Sequence, residues 1–243
     1  MCYSTALRKK REEIEFKLNN IRPASFEIDF EYAPYFHLNG FTHDNLQIIK
    51  MDEQDKIYPA SWGLVPNQLN MDIDAFRKEY NTLNAKSEKV FNSRTYSQSA
   101  REGRCLILAD GFFEPHHQNG VAIPHFCYQP TKEHPEGDLF LFAGLYTELD
   151  DQLFSATILT VDANPFFSEV HNKKKRMPLV LNTDFVEDWL DDGTNEQQLN
   201  ELMAFGFTKE EFKAHPVSRD LYKKGIDTNK PYIVEPVEKG TLF

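Results

Sequence analysis

Glycine is scarce in this chain, 11 of 243 residues, and no stretch is rich in Gly/Ser or proline, so nothing reads as a flexible linker. There is no internal repeat and no low-complexity tract, and no domain boundary is expected anywhere in the chain. No run approaches the ~18 apolar residues of a membrane span, and the start lacks the apolar core of a signal peptide. The three cysteines are too few, and odd in number, for a disulfide framework, which points to a reducing compartment. Positive charge is in deficit. The 27 Lys+Arg face 38 Asp+Glu, a formal charge of −11, which speaks against a histone-like or generally basic nucleic-acid binder. What is present suffices for a core: 40% of residues are hydrophobic and 13% aromatic. One domain of this length buries roughly 70–75% of its extended-chain surface. The expectation is a soluble, acidic, cytoplasmic globular protein without membrane contact, monomeric and without a cofactor.

Residues 4–20 read as a helix, because Leu7, Ile14 and Leu18 fall on one face and Ser4 or Thr5 can cap the start. The middle of the chain reads as strands over Arg104–Asp110, His125–Gln129, Leu139–Leu145, Phe154–Val161 and Met177–Leu181. Towards the C-terminus, Thr183 is expected to cap a short helix carrying Val186, Trp189 and Leu190. Thr194 with Gln197, and Thr208 with Glu211, fit capping boxes that predict helices over 195–204 and 209–214. Strands in succession followed by segregated helices indicate an α+β domain.

Cys2 stands directly after Met1. Removal of Met1 leaves a thiol and a free α-amine on one residue, a 1,2-aminothiol whose amine has an ordinary pKa near ~8. Such an amine attacks an aldehyde to give a Schiff base, and the sulfur then closes onto the imine carbon as a five-membered thiazolidine. The same nucleophile could serve amide hydrolysis.

Several blocks occur in a recognisable order: Met1-Cys2-Tyr3-Ser4, Trp62-Gly63-Leu64-Val65-Pro66, Asn84-Ala85-Lys86, Ala109-Asp110-Gly111-Phe112-Phe113-Glu114, Phe142-Ala143-Gly144-Leu145, Thr160-Val161-Asp162-Ala163-Asn164, His171 to Met177-Pro178, and His215-Pro216-Val217-Ser218. Together, from residue 2 to about 236, they resemble the SRAP family, the SOS-response-associated peptidases or abasic-site-processing proteins. The resemblance implies a mixed, largely antiparallel barrel-like β core with peripheral helices, one domain over residues 1–243. It implies a partner, single-stranded DNA containing an abasic site, whose ring-opened aldehyde is trapped through Cys2 as a covalent DNA–protein crosslink. The expected chemistry is Schiff-base, lyase-like trapping together with autoproteolytic, peptidase-type removal of Met1, at the nucleoid if the source is bacterial.

The catalytic set implied is Cys2, Asn84, Glu114 and His171. A carboxyl such as Glu114 shuttles protons if burial raises its pKa, and an imidazole such as His171 donates and accepts near neutrality. The Asn84 amide can orient the Cys2 amine without altering charge. Phosphate contacts are expected from Lys86, Arg94, Arg104, Lys175 and Arg176, with Arg176 the first choice for its guanidinium fork, and further DNA contacts from Trp62 and Pro66. Arg8 to Arg11 read as a solvated helix face, Asp110 as the holder of its turn, Glu88 as a structural ion pair, and His215, Cys105 and Cys127 as packing residues. A zinc site from Cys105, His116, His117 and Cys127 lacks a recognised ligand spacing, so no metal is expected.

The chain departs from the family pattern at several places. Tyr3 and Ser4 follow Cys2 where Gly-Arg is common, Lys86 replaces Arg, and Pro115 replaces the aromatic after the glutamate. Asn67-Gln68-Leu69 stands where an aromatic wedge is usual, with Leu69 a partial substitute, and an Asn-Lys-Lys-Lys insertion separates His171 from Arg176. Two other functions stay open: a cysteine peptidase or amidase acting in trans, and a non-catalytic module that binds single-stranded DNA.

Overall fold

Sheet formation follows the apolar runs of the sequence. The computed structural model describes residues 2–27, 30–67, 72–150 and 152–237. Its strands, in chain order, are β1 Ser4–Leu7, β2 Ser25–Phe26, β3 Tyr35–Asn39, β4 Asn45–Lys50, β5 Lys56–Trp62, β6 Asn84–Lys86, β7 Arg104–Ala109, β8 Gly111–Gln118, β9 Val121–Tyr128, β10 Phe140–Asp150, β11 Leu153–Asp162, β12 Arg176–Pro178 and β13 Lys213–Pro216. The helices are α1 Arg11–Leu18, α2 Ile73–Glu79, α3 Ser97–Glu102, α4 Pro165–Val170, α5 Val186–Leu190 and α6 Glu196–Phe205.

Five strands close on themselves. β10 lies antiparallel to both β11 and β7, β4 antiparallel to both β7 and β5, and β5 returns to β11 in parallel, with Ser61 opposite Ser155. Closure removes the sheet edges that would otherwise seek partners. β7 is buried along its whole length, which explains why Arg-Cys-Leu-Ile-Leu-Ala reads as a continuous apolar run instead of an alternating one. The α+β class and the mixed, largely antiparallel barrel are as the resemblance implied.

A second sheet, in the order β13-β9-β8-β1-β3, carries the start of the chain in its interior. β8 and β9 form a hairpin around Asn119 and Gly120, whose φ angles of 51° and 81° suit a tight two-residue turn. β1 lies between β3 and β8, with Thr5 opposite both Leu38 and Phe112. Asp110 secures it: one carboxylate oxygen accepts the backbone N–H of Arg8 at 2.7 Å and of Lys9 at 3.2 Å, and the other accepts Arg8 Nε at 2.9 Å. So Asp110 anchors the N-terminal segment and does more than shape its own turn. Arg8 to Arg11 is not a solvated helix face either, since Lys9 is buried and Arg8 faces Asp110.

The pairings of β1 also correct the predicted helix over 4–20. Leu7 belongs to a strand, and only Ile14 and Leu18 occupy the buried face of α1. The predicted helix over 209–214 is absent. Thr208 Oγ1 caps only one turn by accepting the Glu210 N–H, and β13 then pairs with β9. The helix over 195–204 forms as α6, but its capping box is Asn195 with Gln198, one residue later than predicted. Asn182, not Thr183, caps the turn leading into α5.

Candidate active site

Aromatic packing determines where two of the four predicted catalytic residues meet. Phe112 on β8 stacks on Phe167 of α4 with ring centres 5.6 Å apart, and both touch Phe212. α4 is capped by Asn164, whose side chain accepts the Phe167 N–H, and it begins with Pro165. Glu114 follows Phe112 by two positions on β8, so it shares a face with it, and His171 caps the other end of α4. Asn172 then ties the following loop to β8, accepting the His117 N–H at 2.9 Å and donating to the His117 carbonyl at 2.8 Å. The result is His171 Nδ1 3.1 Å from Glu114 Oε2, in a buried setting.

This contact is not an ion pair at neutral pH. Burial pushes the Glu114 carboxyl up to about 7 and the His171 imidazole down to about 4, so each is driven towards its neutral form. His171 Nδ1 also lies 3.0 Å from the Arg176 carbonyl oxygen, which can only accept, so Nδ1 carries the hydrogen and Nε2 the lone pair. A carboxyl that titrates at neutrality beside a neutral imidazole can both release and take up a proton.

Cys2 and Asn84 form the other half. Trp62 Nε1 donates to the Leu83 carbonyl at 2.8 Å, and β6 runs parallel to β11 with Asn84 opposite Ile158, which fixes Asn84 at the start of β6. Its Nδ2 donates to the Cys2 carbonyl at 2.7 Å. Its Oδ1 is buried and has no hydrogen-bond partner among the described residues. The Cys2 thiol is fully buried, donates to the Ser4 carbonyl at 3.5 Å, and is raised well above the usual thiol range, first by burial and then by the charge of Glu114. Cys2, Asn84, Glu114 and His171 therefore gather in one place.

At His171, the one of the four that lines it, opens a cleft of about 350 Å³, bounded also by Tyr3, Phe113, Lys173, Lys174 and Tyr222 among others. The predicted cations behave unequally. Arg104 is buried, with its guanidinium donating to the carbonyls of Trp189, Ala100, Arg101 and Asp191. Arg176 is buried as well and is consumed by Glu88, Asp162 and the Thr160 carbonyl, so Glu88 is the structural ion pair expected of it. Neither guanidinium is presented to a phosphate, because each already satisfies oxygens inside the fold. Trp62 is buried and acts through Leu83, not at a DNA surface. Arg94 is exposed and shares a separate cleft with Pro66, Asp52, Glu102 and Glu148, whose carboxylates oppose an anion. Lys86 and Lys175 are exposed, but neither lines the cleft at His171. Leu69 lies outside the described residues. Among the described residues there is no cluster of three or more His, Cys, Asp or Glu able to hold a metal ion.

Sequence reasoning missed three contributors. His117 and Tyr222 line the cleft. His37 is buried and accepts or donates at both nitrogens, to Ser4 Oγ at 3.0 Å and to Thr228 Oγ1 at 2.6 Å, which ties the strand after Cys2 to the C-terminal segment. No spacing signal in the sequence marks any of them. His215, by contrast, packs as expected against Phe126 and Tyr128, and Cys105 and Cys127 are buried.

Comparison with known proteins identifies the family. Residues 1–224 match the family described as SOS response associated peptidase (SRAP). The chain is 31% identical over 199 residues to Abasic site processing protein HMCES of Gallus gallus, covering 74% of this chain and 57% of that one. It is 25% identical over 193 residues to Abasic site processing protein YoaM of Bacillus subtilis (77% and 79% covered) and 23% identical over 241 residues to YoqW of the same organism (97% and 99%). The chain thus spans little more than half the length of the vertebrate relatives it matches. In fold, it superposes on a crystal structure from Bacteroides thetaiotaomicron with a TM-score of 0.78 at 24% identity, covering 98% of this chain and 100% of that one. One from Bordetella bronchiseptica gives 0.69 at 21% identity, covering 89% and 100%. The chain belongs to the SOS response associated peptidase family.

Proposed function

We propose that the protein processes abasic sites, trapping the aldehyde of an abasic sugar in single-stranded DNA on Cys2 as a thiazolidine. The observation that carries this reading is the contact set at the chain start: Asn84 holds the Cys2 carbonyl, while a carboxyl titrating near neutrality pairs with a neutral imidazole beside the Cys2 thiol. The names of the relatives, as abasic site processing proteins, point the same way.

Once Met1 is removed, the reaction balances without electron transfer. The anomeric hydroxyl gives up its proton, the ring C–O bond breaks, and the ring oxygen takes up a proton, which frees the aldehyde. The Cys2 amine adds to the aldehyde carbon, water leaves, and an imine forms. The Cys2 sulfur then adds to the imine carbon and its proton passes to the nitrogen, closing the thiazolidine. Because burial keeps the thiol protonated, closure needs a base, and Glu114 in its ionised form meets that need. In its protonated form it supplies the proton with which water departs. The Asn84 Oδ1, a buried acceptor, suits the N–H of the free amine. The product has no free aldehyde, so β-elimination and strand breakage are prevented. We further propose that the protein acts as a cytoplasmic monomer. Peptidase activity in trans is the competing reading, and nothing in the site's geometry favours it.

The test is incubation of Met1-processed protein with single-stranded DNA carrying one abasic site, followed by a denaturing gel. A covalent band that disappears in Cys2→Ala is expected. Absence of any band from wild type would refute the reading, and a band that persists in Cys2→Ala would replace the thiazolidine with a Schiff base formed elsewhere.

A further inference from the structure

Two tyrosines in the cleft have no part in the chemistry above, and they come from opposite ends of the chain. Tyr3 precedes β1, and Tyr222 ends the short turn Arg219–Tyr222, which is anchored by buried Leu221. Tyr222 is 47% exposed although its neighbour in the sequence is packed away. Tyr3 is half-buried and leans on Phe41, ring centres 5.1 Å apart, and Phe41 is itself 60% exposed. Lys173 and Lys174 are exposed in the same cleft.

Tyr222 and the accessible part of Tyr3, a ring otherwise packed against the core, stand open to water beside two exposed lysines. The ring faces are suited to nucleobases, which stack on aromatic side chains irrespective of sequence, while lysines neutralise the connecting phosphates. An abasic site creates the need for such a surface, because the bases on either side of it have lost a stacking neighbour. A cleft of about 350 Å³ is at the small end of ligand sites, the scale of a sugar with one adjoining base and not of a folded helix.

We propose that Tyr222, together with Tyr3, is a stacking platform for the nucleobase adjoining the abasic sugar, with Lys173 and Lys174 on the phosphates beside it. This rests on the abasic-site reading and adds to it that a base is bound, not only sugar and phosphate. Two consequences follow. A purine next to the lesion binds more tightly than a pyrimidine, and a second abasic residue in that position binds least tightly.

The test separates binding from chemistry. Strands carrying a tetrahydrofuran in place of the abasic sugar cannot react, and a fluorescent 2-aminopurine is placed on one side of it or the other. Wild type is expected to quench 2-aminopurine at one of the two positions, and Tyr222→Phe and Tyr222→Trp to retain the quench. Tyr222→Ala and Tyr222→Leu are expected to lose it and to bind roughly 5- to 150-fold more weakly. On a true abasic strand, the DNA concentration that half-saturates crosslinking should rise by the same factor in Tyr222→Ala and Tyr222→Leu, and by much less in Tyr222→Phe and Tyr222→Trp. No quench by wild type at either position, unaltered quenching in Tyr222→Ala, or a half-saturating concentration that does not rise in that variant overturns the proposal. If wild type crosslinks while the platform test fails, abasic-site trapping stands without the platform, whereas a wild type that never crosslinks removes the underlying reading itself.

Discussion

Glu114→Gln is expected to inactivate the protein and stabilise it at the same time. In the fold, burial raises this carboxyl from an ordinary 4.5 to about 7, at a side chain that is only 1% exposed. Below about pH 4.5 the group is protonated in both the folded and the unfolded chain and contributes nothing. Between about 4.5 and 7 the unfolded chain ionises while the fold keeps its proton, so stability falls as pH rises. Above about 7 the full penalty remains, about 2.5 pH units at about 1.4 kcal/mol each, or about 3 kcal/mol. Gln fills the same space and never ionises. Its advantage should therefore be absent at pH 4.5 and reach about 3 kcal/mol at pH 8, which for a chain of this size raises Tm by about 6–12 °C. The same substitution removes the proton shuttle proposed above, and crosslinking should slow by about 100- to 10,000-fold. Urea denaturation and thermal melts at the two pH values, beside a crosslinking time course, measure both. A variant that is equally stabilised at pH 4.5 and 8, or that is less stable than wild type at pH 8, would refute the argument. The carboxylate would then be held by its partners and not penalised by its burial.

His171→Gln should make the protein gain stability towards acid. The imidazole, lowered to about 4 from 6.5, costs the fold nothing at pH 7 but about 3 kcal/mol at pH 4, so the change in stability between pH 7 and 4, read from urea midpoints, should be about 3 kcal/mol more favourable to pH 4 in the variant than in wild type. In wild type this loss towards acid runs against the Glu114 effect over the shared range, so each variant should expose the other's slope. The cations should divide cleanly. Arg104→Met, which orphans the carbonyls of Trp189, Ala100, Arg101 and Asp191, should cost about 3–5 kcal/mol in denaturant without altering the salt dependence of DNA binding. Lys173→Ala and Lys174→Ala should leave stability within about 0.5 kcal/mol of wild type and each reduce the slope of log K against log salt by about 0.7.

The sequence was most legible where local pattern and tertiary burial agree. β7, β10 and β11 announce themselves as apolar runs because the closed barrel buries them on both faces. It was least legible where a pairing partner decides. Leu7, Ile14 and Leu18 satisfy a helical period, yet Leu7 goes to a strand because β3 and β8 lie on either side of it. Lys213–Pro216 likewise extends along β9 in place of the helix its capping signal favours. The gathering of Cys2, Asn84, Glu114 and His171 was readable only as a family pattern, since no spacing links residues so far apart. Charge was the poorest guide. Whether a guanidinium is free depends on which oxygens the fold aims at it, and the sequence does not say that Arg104 meets carbonyls or that Arg176 meets Glu88 and Asp162.

The interior position of β1 has a consequence for how the protein comes into being. During synthesis the first strand emerges long before either of its neighbours, β3 some thirty residues later and β8 more than a hundred. Pairings so distant in sequence form late. On a growing chain Cys2 is thus an ordinary, open thiol for most of translation, and it is concealed only when Asp110 and β8 arrive to clamp the strand beside it. The interval between those two events is the time in which Cys2 is accessible. If Cys2 is the nucleophile proposed above, it is also the time in which stray aldehydes can consume it before its pocket exists.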